Sequence, residues 1–204
     1  MSTTITFLTT LLGAVVGGGI AGYFSSKATK ESHQHQKKIS EDNEKLIISS
    51  LLQAIHDELE TIFDRYHETI GNRIESLPEG GALIFYYPVV NDYFTVYNGN
   101  SFLIGRVKNN DLRKSIIKTY TLGKGMMDSL RMNNEILQKV EHWESIHAET
   151  QLPIHQEKAK HYYMSLVEYA KSIKKQHLDL KDNLKSTLRA LVKNGVLNES
   201  DQKK

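Results

Sequence analysis

From the initiating Met to Lys27 the chain carries no charged side chain, and Ile5 to Phe24 is apolar or small throughout. A run of that length matches the ~20 residues a helix needs to cross the hydrocarbon core of a bilayer. It reads as an N-terminal transmembrane helix, residues 1–26, and it constrains the rest of the chain more than any later feature does. The leader Met-Ser-Thr-Thr lacks the basic start of a secretory signal, and no small-x-small cleavage site precedes the first lysines. Glycine is costly in soluble helices and commoner in membrane ones, so Gly13, Gly17, Gly18, Gly19 and Gly22 favour the bilayer. Lys27, Lys30, Lys37 and Lys38 against Glu31 give 4 − 1 = +3 just beyond the span. By the positive-inside rule that side is cytoplasmic, so the expected location is the bacterial inner membrane with the N-terminus outside.

The small residues are also sorted. At 100° per residue, Thr6, Thr10, Gly13, Gly17 and Ala21 form a stripe, with Ala14, Gly18 and Gly22 beside it. Gly13-x-x-x-Gly17 and Gly18-x-x-x-Gly22 match the spacing that lets two spanning helices approach closely. Gly13, Gly17, Gly18, Ala21 and Gly22 are therefore the expected packing residues of a self-associating anchor.

Net charge over the chain is only +2, without the broad basic face of a nucleic-acid binder. No cysteine is present, which removes disulfides and cysteine metal sites. The remaining ~180 residues suffice for one cored domain. Polar residues 27–45 read as a helical stalk, 46–194 as a cytoplasmic bundle and 195–204 as a disordered tail. Ile48, Leu52, Ile55, Leu59, Ile62, Tyr66, Ile70 and Ile74 recur in steps of three and four, the broad apolar face of a bundle helix. Pro78, Gly80 and Gly81 end that helix. A second helix runs from Asp111 to about His147, with Leu112, Ile116, Tyr120, Gly123, Met127, Leu130, Leu137 and Val140 inward. A third runs from Ile154 to Lys193, with Tyr162, Leu166, Tyr169, Ile173, His177, Leu180, Leu184, Leu188 and Leu191 on one face, and Asn194-Gly195 stops it. The expected fold is all-α: a spanning helix, a stalk and an elongated antiparallel three-helix bundle.

Residues 82–108 are ambiguous. Seven of the seventeen aromatics fall between Phe85 and Phe102. Tyr97-Asn98-Gly99-Asn100-Ser101 favours a β-hairpin by turn chemistry, with a short helix over Tyr97–Ile104 as the alternative. The aromatics Tyr86, Tyr87, Tyr93 and Phe94 offer a candidate partner surface, because aromatic side chains are enriched at binding hot spots. An ordinary cap closing the bundle is the competing reading.

Three local signatures then stand out: Val96-Tyr97, Ile104-Gly105 and Ile116-Ile117-Lys118-Thr119-Tyr120. With the glycine-rich anchor and long helix, this layout resembles uncharacterised bacterial single-span membrane-anchored helical proteins. The resemblance implies that the Val-Tyr region is helical and that Tyr120 points inward. It implies no activity.

Chemistry-bearing constellations are weak. Glu144-Ser-Ile-His147 has the spacing of a di-iron half-motif, but it sits at a helix end, and Asp64 before His67 lies off the apolar stripe. His33 and His35 beside Lys37 and Lys38 read more simply as a juxtamembrane basic cluster. No zinc-protease helix, nucleophile elbow or phosphate loop occurs; Gly123-Lys124-Gly125 lacks the strand and spacing of one. Gly123 reads as a close helix contact opposite a large side chain, His177 as a hydrogen-bonded core residue, and Trp143, Tyr162, Tyr163 and Tyr169 as core and seam aromatics. No catalytic, cofactor or metal residue is assigned. The expected function is a non-enzymatic, membrane-anchored interaction or scaffold protein, a homo-oligomer with the bilayer and a further protein as partners. The competing expectation is a membrane effector of phage defence or growth arrest that acts through associated anchors.

Overall fold

The computed structural model describes residues 2–89 and 93–196, with side chains from Gly22 onward. Among the described residues it is all-helical, without strands. Helix α1 spans Ser2–Tyr66 and passes through a π-turn, His67–Gly71, into the single turn α2, Asn72–Glu75. Non-helical residues, described over 77–89 and 93–94, follow and form the strap. Then come α3 (Thr95–Ile104), α4 (Asn110–Thr150) and α5 (Pro153–Lys193). Two compact units are distinguished, residues 1–47 and 48–204. In the first, every described side chain from Gly22 to Ile47 is exposed. Among the described residues no helix is long and apolar enough to cross a membrane. The side chains of Ile5–Ala21, and with them Gly13, Gly17, Gly18 and Ala21, lie outside the description. Gly22 has no atom near the position of a Cβ.

The second unit is a helical bundle. Asn109 opens α4 by accepting from the N–H groups of Asp111 and Leu112, 3.1 Å each, so the helix starts just ahead of the Asp111 expected. Gln151 at φ 53° closes α4, and Pro153 stands in the first turn of α5. The hairpin between them is antiparallel: Asn109 meets Asn194, Ser115 meets Thr187 and Ser129 meets Gln176. Gly195 takes φ +90° past the end of α5, and Val196 folds back into the core with its N–H on the Leu191 carbonyl, 3.3 Å. This corrects the expectation of a disordered tail from residue 195; residues 197–204 are outside the description.

The third helix departs from simple antiparallel packing. Leu51, Leu52, Ile55 and Leu59 of α1 share a core with Leu112, Ile116 and Tyr120 of α4 and with Leu184 and Leu191 of α5. Further along, Tyr66, Ile70 and Ile74 share one with Met126, Met127 and Leu130, and with Ala170 and Ile173. So α1 runs parallel to α4 and antiparallel to α5. Parallel neighbours need a crossover, and residues 76–109 supply it: the strap and α3 descend along α4. Asn133 donates to the Leu83 carbonyl (3.0 Å), while Asn134 accepts from the Tyr87 N–H (3.1 Å) and donates to the Tyr87 carbonyl (2.8 Å). These side chains satisfy strap peptide groups that have no sheet or helix of their own. The non-helical strap and the short helix α3 thus both lie along α4.

Where the strap meets α4, the ring of Phe94 lies against Gly123; a Cβ there would come within 2.9 Å of its Cζ. Phe94 is buried and held edge-on by Tyr120 at 5.3 Å between centroids, so the ring has little room to yield. Gly123→Val should lower stability by about 1–3 kcal/mol as overpacking. Gly125→Ala, on the open face of the same helix, should be neutral or gain up to ~1 kcal/mol. Denaturant titrations of both variants compare the two directly.

Candidate functional site

Two polar clusters hold the strap at its ends. The upper one is built on Glu58, a half-buried α1 side chain. One of its oxygens accepts from the Val96 N–H at 2.6 Å and the Thr95 hydroxyl at 3.3 Å. The other accepts from the Tyr97 N–H at 3.2 Å and the Tyr120 hydroxyl at 2.7 Å. Glu58 thus caps α3 from another helix, since Phe94 at the N-cap offers no side-chain bond. Tyr97 stacks on Tyr120 at 3.9 Å between centroids, and burial together with Glu58 pushes the Tyr120 phenol up. The Val96-Tyr97 and Tyr120 signatures therefore meet at one carboxylate, and residues 95–104 are helix rather than hairpin. Asn100 bends α3, with its amide on the Val96 carbonyl at 2.9 Å.

The other cluster sits where α1 ends. His177 of α5 is fully buried between Tyr66, whose oxygen is 2.8 Å from Nδ1, and Glu75, whose Oε1 is 2.9 Å from Nε2. A carboxylate can only accept, so Nε2 carries the proton, and in the neutral ring Nδ1 then accepts from the Tyr66 hydroxyl. The same Glu75 oxygen also accepts from Lys181 and from His67 Nε2 at 3.2 Å. The π-turn makes this convergence. It places Gly71 against His177, where a Cβ would lie 3.2 Å from the imidazole Cε1. Glu75 is the last residue of α2, and Lys174 donates to the Leu77 carbonyl at 2.8 Å, so the cluster pins the start of the strap to α5.

Lys181 and His177 hold the Glu75 carboxyl down at about 2, and burial lowers His177 despite Glu75. Both groups thus bind protons less readily when folded than when unfolded. Their stabilisation is complete above the ordinary values of 6.5 and 4.5, and acid removes it. Melting temperature should fall as pH drops below 6.5 through the lowered His177 value, and further between 4.5 and about 2 as Glu75 protonates. Thermal melts from pH ~8 to ~3 check this, and His177→Leu should flatten the upper part of the curve.

Chemically, Tyr66, His177 and Glu75 form a hydrogen-bonded row, with Tyr66 and His177 buried and one oxygen of the exposed Glu75 carboxylate accepting from His177, His67 and Lys181. The cavity beside Tyr66, about 30 Å³ and lined by Leu59, Phe63, Phe94, Gly123 and Leu184, has room for no more than about one water. A larger open groove of about 610 Å³ flanks the α4–α5 tip, with Glu144, His147, Glu157, Lys160 and Tyr163 around it. Among the described residues no group of three or more His, Asp or Glu is placed to hold a metal ion. Asp64 and Glu144 are exposed; His67 is committed to Glu75.

The aromatic partner surface divides. Tyr87 and Phe94 are buried in the core, where the strap lies along α4 at Asn134 and Gly123. Tyr86 remains 40% exposed with its hydroxyl on Glu141 at 2.6 Å, and Tyr93 bonds the Pro88 carbonyl at 3.0 Å. His177 is the hydrogen-bonded core residue expected. Tyr162 and Tyr169 are half-buried against the core, Trp143 is half-buried with Lys158 over its ring at 4.0 Å, and Tyr163 is exposed. Glu58 and Glu75 were not legible as functional residues, because their partners, His67 apart, lie 37 to 106 positions away. No family model, curated protein or solved structure matches the chain.

Proposed function

We propose that this protein is a single-pass, membrane-anchored helical interaction protein without enzymatic activity, holding its bundle on the cytoplasmic face of the bacterial inner membrane. The supporting observation is the change of character along one helix. Ile5–Phe24 is uncharged, Lys27–Ile47 is polar and exposed, and from Ile48 onward the helix is built into a core. A helix that is polar all round needs a reason to persist in water, and joining a membrane span to a folded domain is such a reason. The two polar clusters join the strap to the long helices, with Tyr66 and His177 buried, which supports a structural part for them. Gly13, Gly17, Gly18, Ala21 and Gly22 are the proposed anchor contacts.

Because the chain has no cysteine, single cysteines report topology cleanly. Membranes from expressing cells should retain the protein through alkaline carbonate. Ser2→Cys should react with an impermeant maleimide in intact spheroplasts, and Gln202→Cys only after lysis. Release by carbonate, or the reverse labelling pattern, overturns the reading.

A further inference from the structure

The bonds around His177 close only while its ring is neutral. With Nε2 donating to Glu75, Nδ1 accepts from the Tyr66 hydroxyl at 2.8 Å. A proton added at Nδ1 makes both groups donors, and the buried Tyr66 hydroxyl must turn its own proton away from its acceptor. Glu75 and Lys181 already balance one another, so that proton also leaves an uncompensated charge on a side chain that is 0% exposed. His67, stacked on His177 at 6.3 Å between centroids, differs: its side chain is 29% exposed and can carry a charge in contact with water. Tyr87 of the strap lies near the Tyr66 phenol. Helix α4 packs here through Met126, Met127 and Leu130, which do not titrate. What Glu75 fastens is thin. Helix α2 is a single turn, and between Ile74 and Leu83 no side chain is buried. A second tie to α5 is Lys174 on the Leu77 carbonyl. The α4–α5 hairpin is closed instead by Asn109–Asn194, Ser115–Thr187 and Ser129–Gln176, pairs without a titratable group.

We infer that this cluster is an acid-operated latch: a proton on His177 breaks its row with Tyr66 and Glu75 and frees α2 and the first residues of the strap from α5, while the α4–α5 hairpin stays folded. Release uncovers Ile74 together with Ala170 and Ile173 of α5, which share one buried core in the latched form. Burial holds the His177 ring below the usual 6.5, so the latched form takes up this proton less readily than the released form. The released population therefore grows as pH falls through 6.5, by up to about tenfold per pH unit for a single proton. Lys181 and His177 hold Glu75 down at about 2, so the carboxylate stays charged over this range and His177 alone sets the release.

Hydrogen exchange of the full chain at pH ~7.5 and ~5.5, read by mass spectrometry and corrected for the intrinsic rate at each pH, tests it. Protection of the amides of 71–77 should fall several-fold in acid, up to about tenfold, while that of 112–130 holds. The fall should vanish in the pair Tyr66→Phe with His177→Leu. His177→Gln is a milder change that keeps a donor for Glu75 and cannot take up the proton, and its response should be equally flat. Unchanged protection at 71–77, or a loss shared equally by 112–130, overturns the latch on the unaltered chain alone. A fall that persists in the variants overturns the assignment to His177.

Discussion

Glu58→Ala should destabilise the bundle by about 3 kcal/mol, because two backbone N–H groups opening α3 and the buried Tyr120 hydroxyl lose a charged acceptor together. For a domain of ~150 residues that lowers the melting temperature by roughly 6–12 °C. Glu58→Gln keeps an acceptor without the charge and should lose about half as much. Tyr120→Phe alone should cost about 1 kcal/mol, and much less once Glu58 is already Ala, since the partners share one acceptor. A double-mutant cycle by denaturant titration reads this coupling. Additive losses would mean that Glu58 acts through α3 only.

His177→Ala is expected to cost about 3–4 kcal/mol, combining a cavity in a fully buried site with a stranded Tyr66 hydroxyl. The diagnostic variant is the pair Tyr66→Phe with His177→Leu. Removing both polar partners and filling the space should recover much of the loss, since unpaired buried groups are more harmful than absent ones. Glu75 retains Lys181 and His67 in that background, so the start of the strap stays attached. Calorimetric melts of the single and paired variants decide it. Equal losses in both would show that His177 contributes through shape alone.

Much of the helical core was legible because burial follows a 3.6-residue period. Every inward position expected on α4 from Leu112 to Val140 is buried, as are Leu52, Ile55, Leu59, Ile70 and Ile74 on α1. The illegible parts share a physical cause. Asn98-Gly99 carries good turn chemistry, yet it lies in a helix because Glu58, 38 residues before Val96, caps that helix. Local propensity cannot register a cap supplied from another element. The parallel course of α1 and α4 was hidden for a similar reason, because a strap held by Asn133 and Asn134 through its peptide groups leaves little periodic trace in its side chains. Gly123 was the exception. A glycine amid an apolar helical stripe announces a close neighbour, and Phe94 is that neighbour.

The pairing of Tyr66 with His177 spans 111 residues and sets a timetable for synthesis. The hairpin of α4 and α5 closes over nearby sequence, but the inner face of α1 is not fully covered until α5 is made. At ~5–20 residues per second that wait is on the order of ten seconds. Through it Leu51, Leu52, Ile55 and Leu59 stand incompletely covered on a nascent chain, beside other copies of the same chain on neighbouring ribosomes. The late arrival of its own last helix is therefore the period in which this protein is most exposed to misassembly.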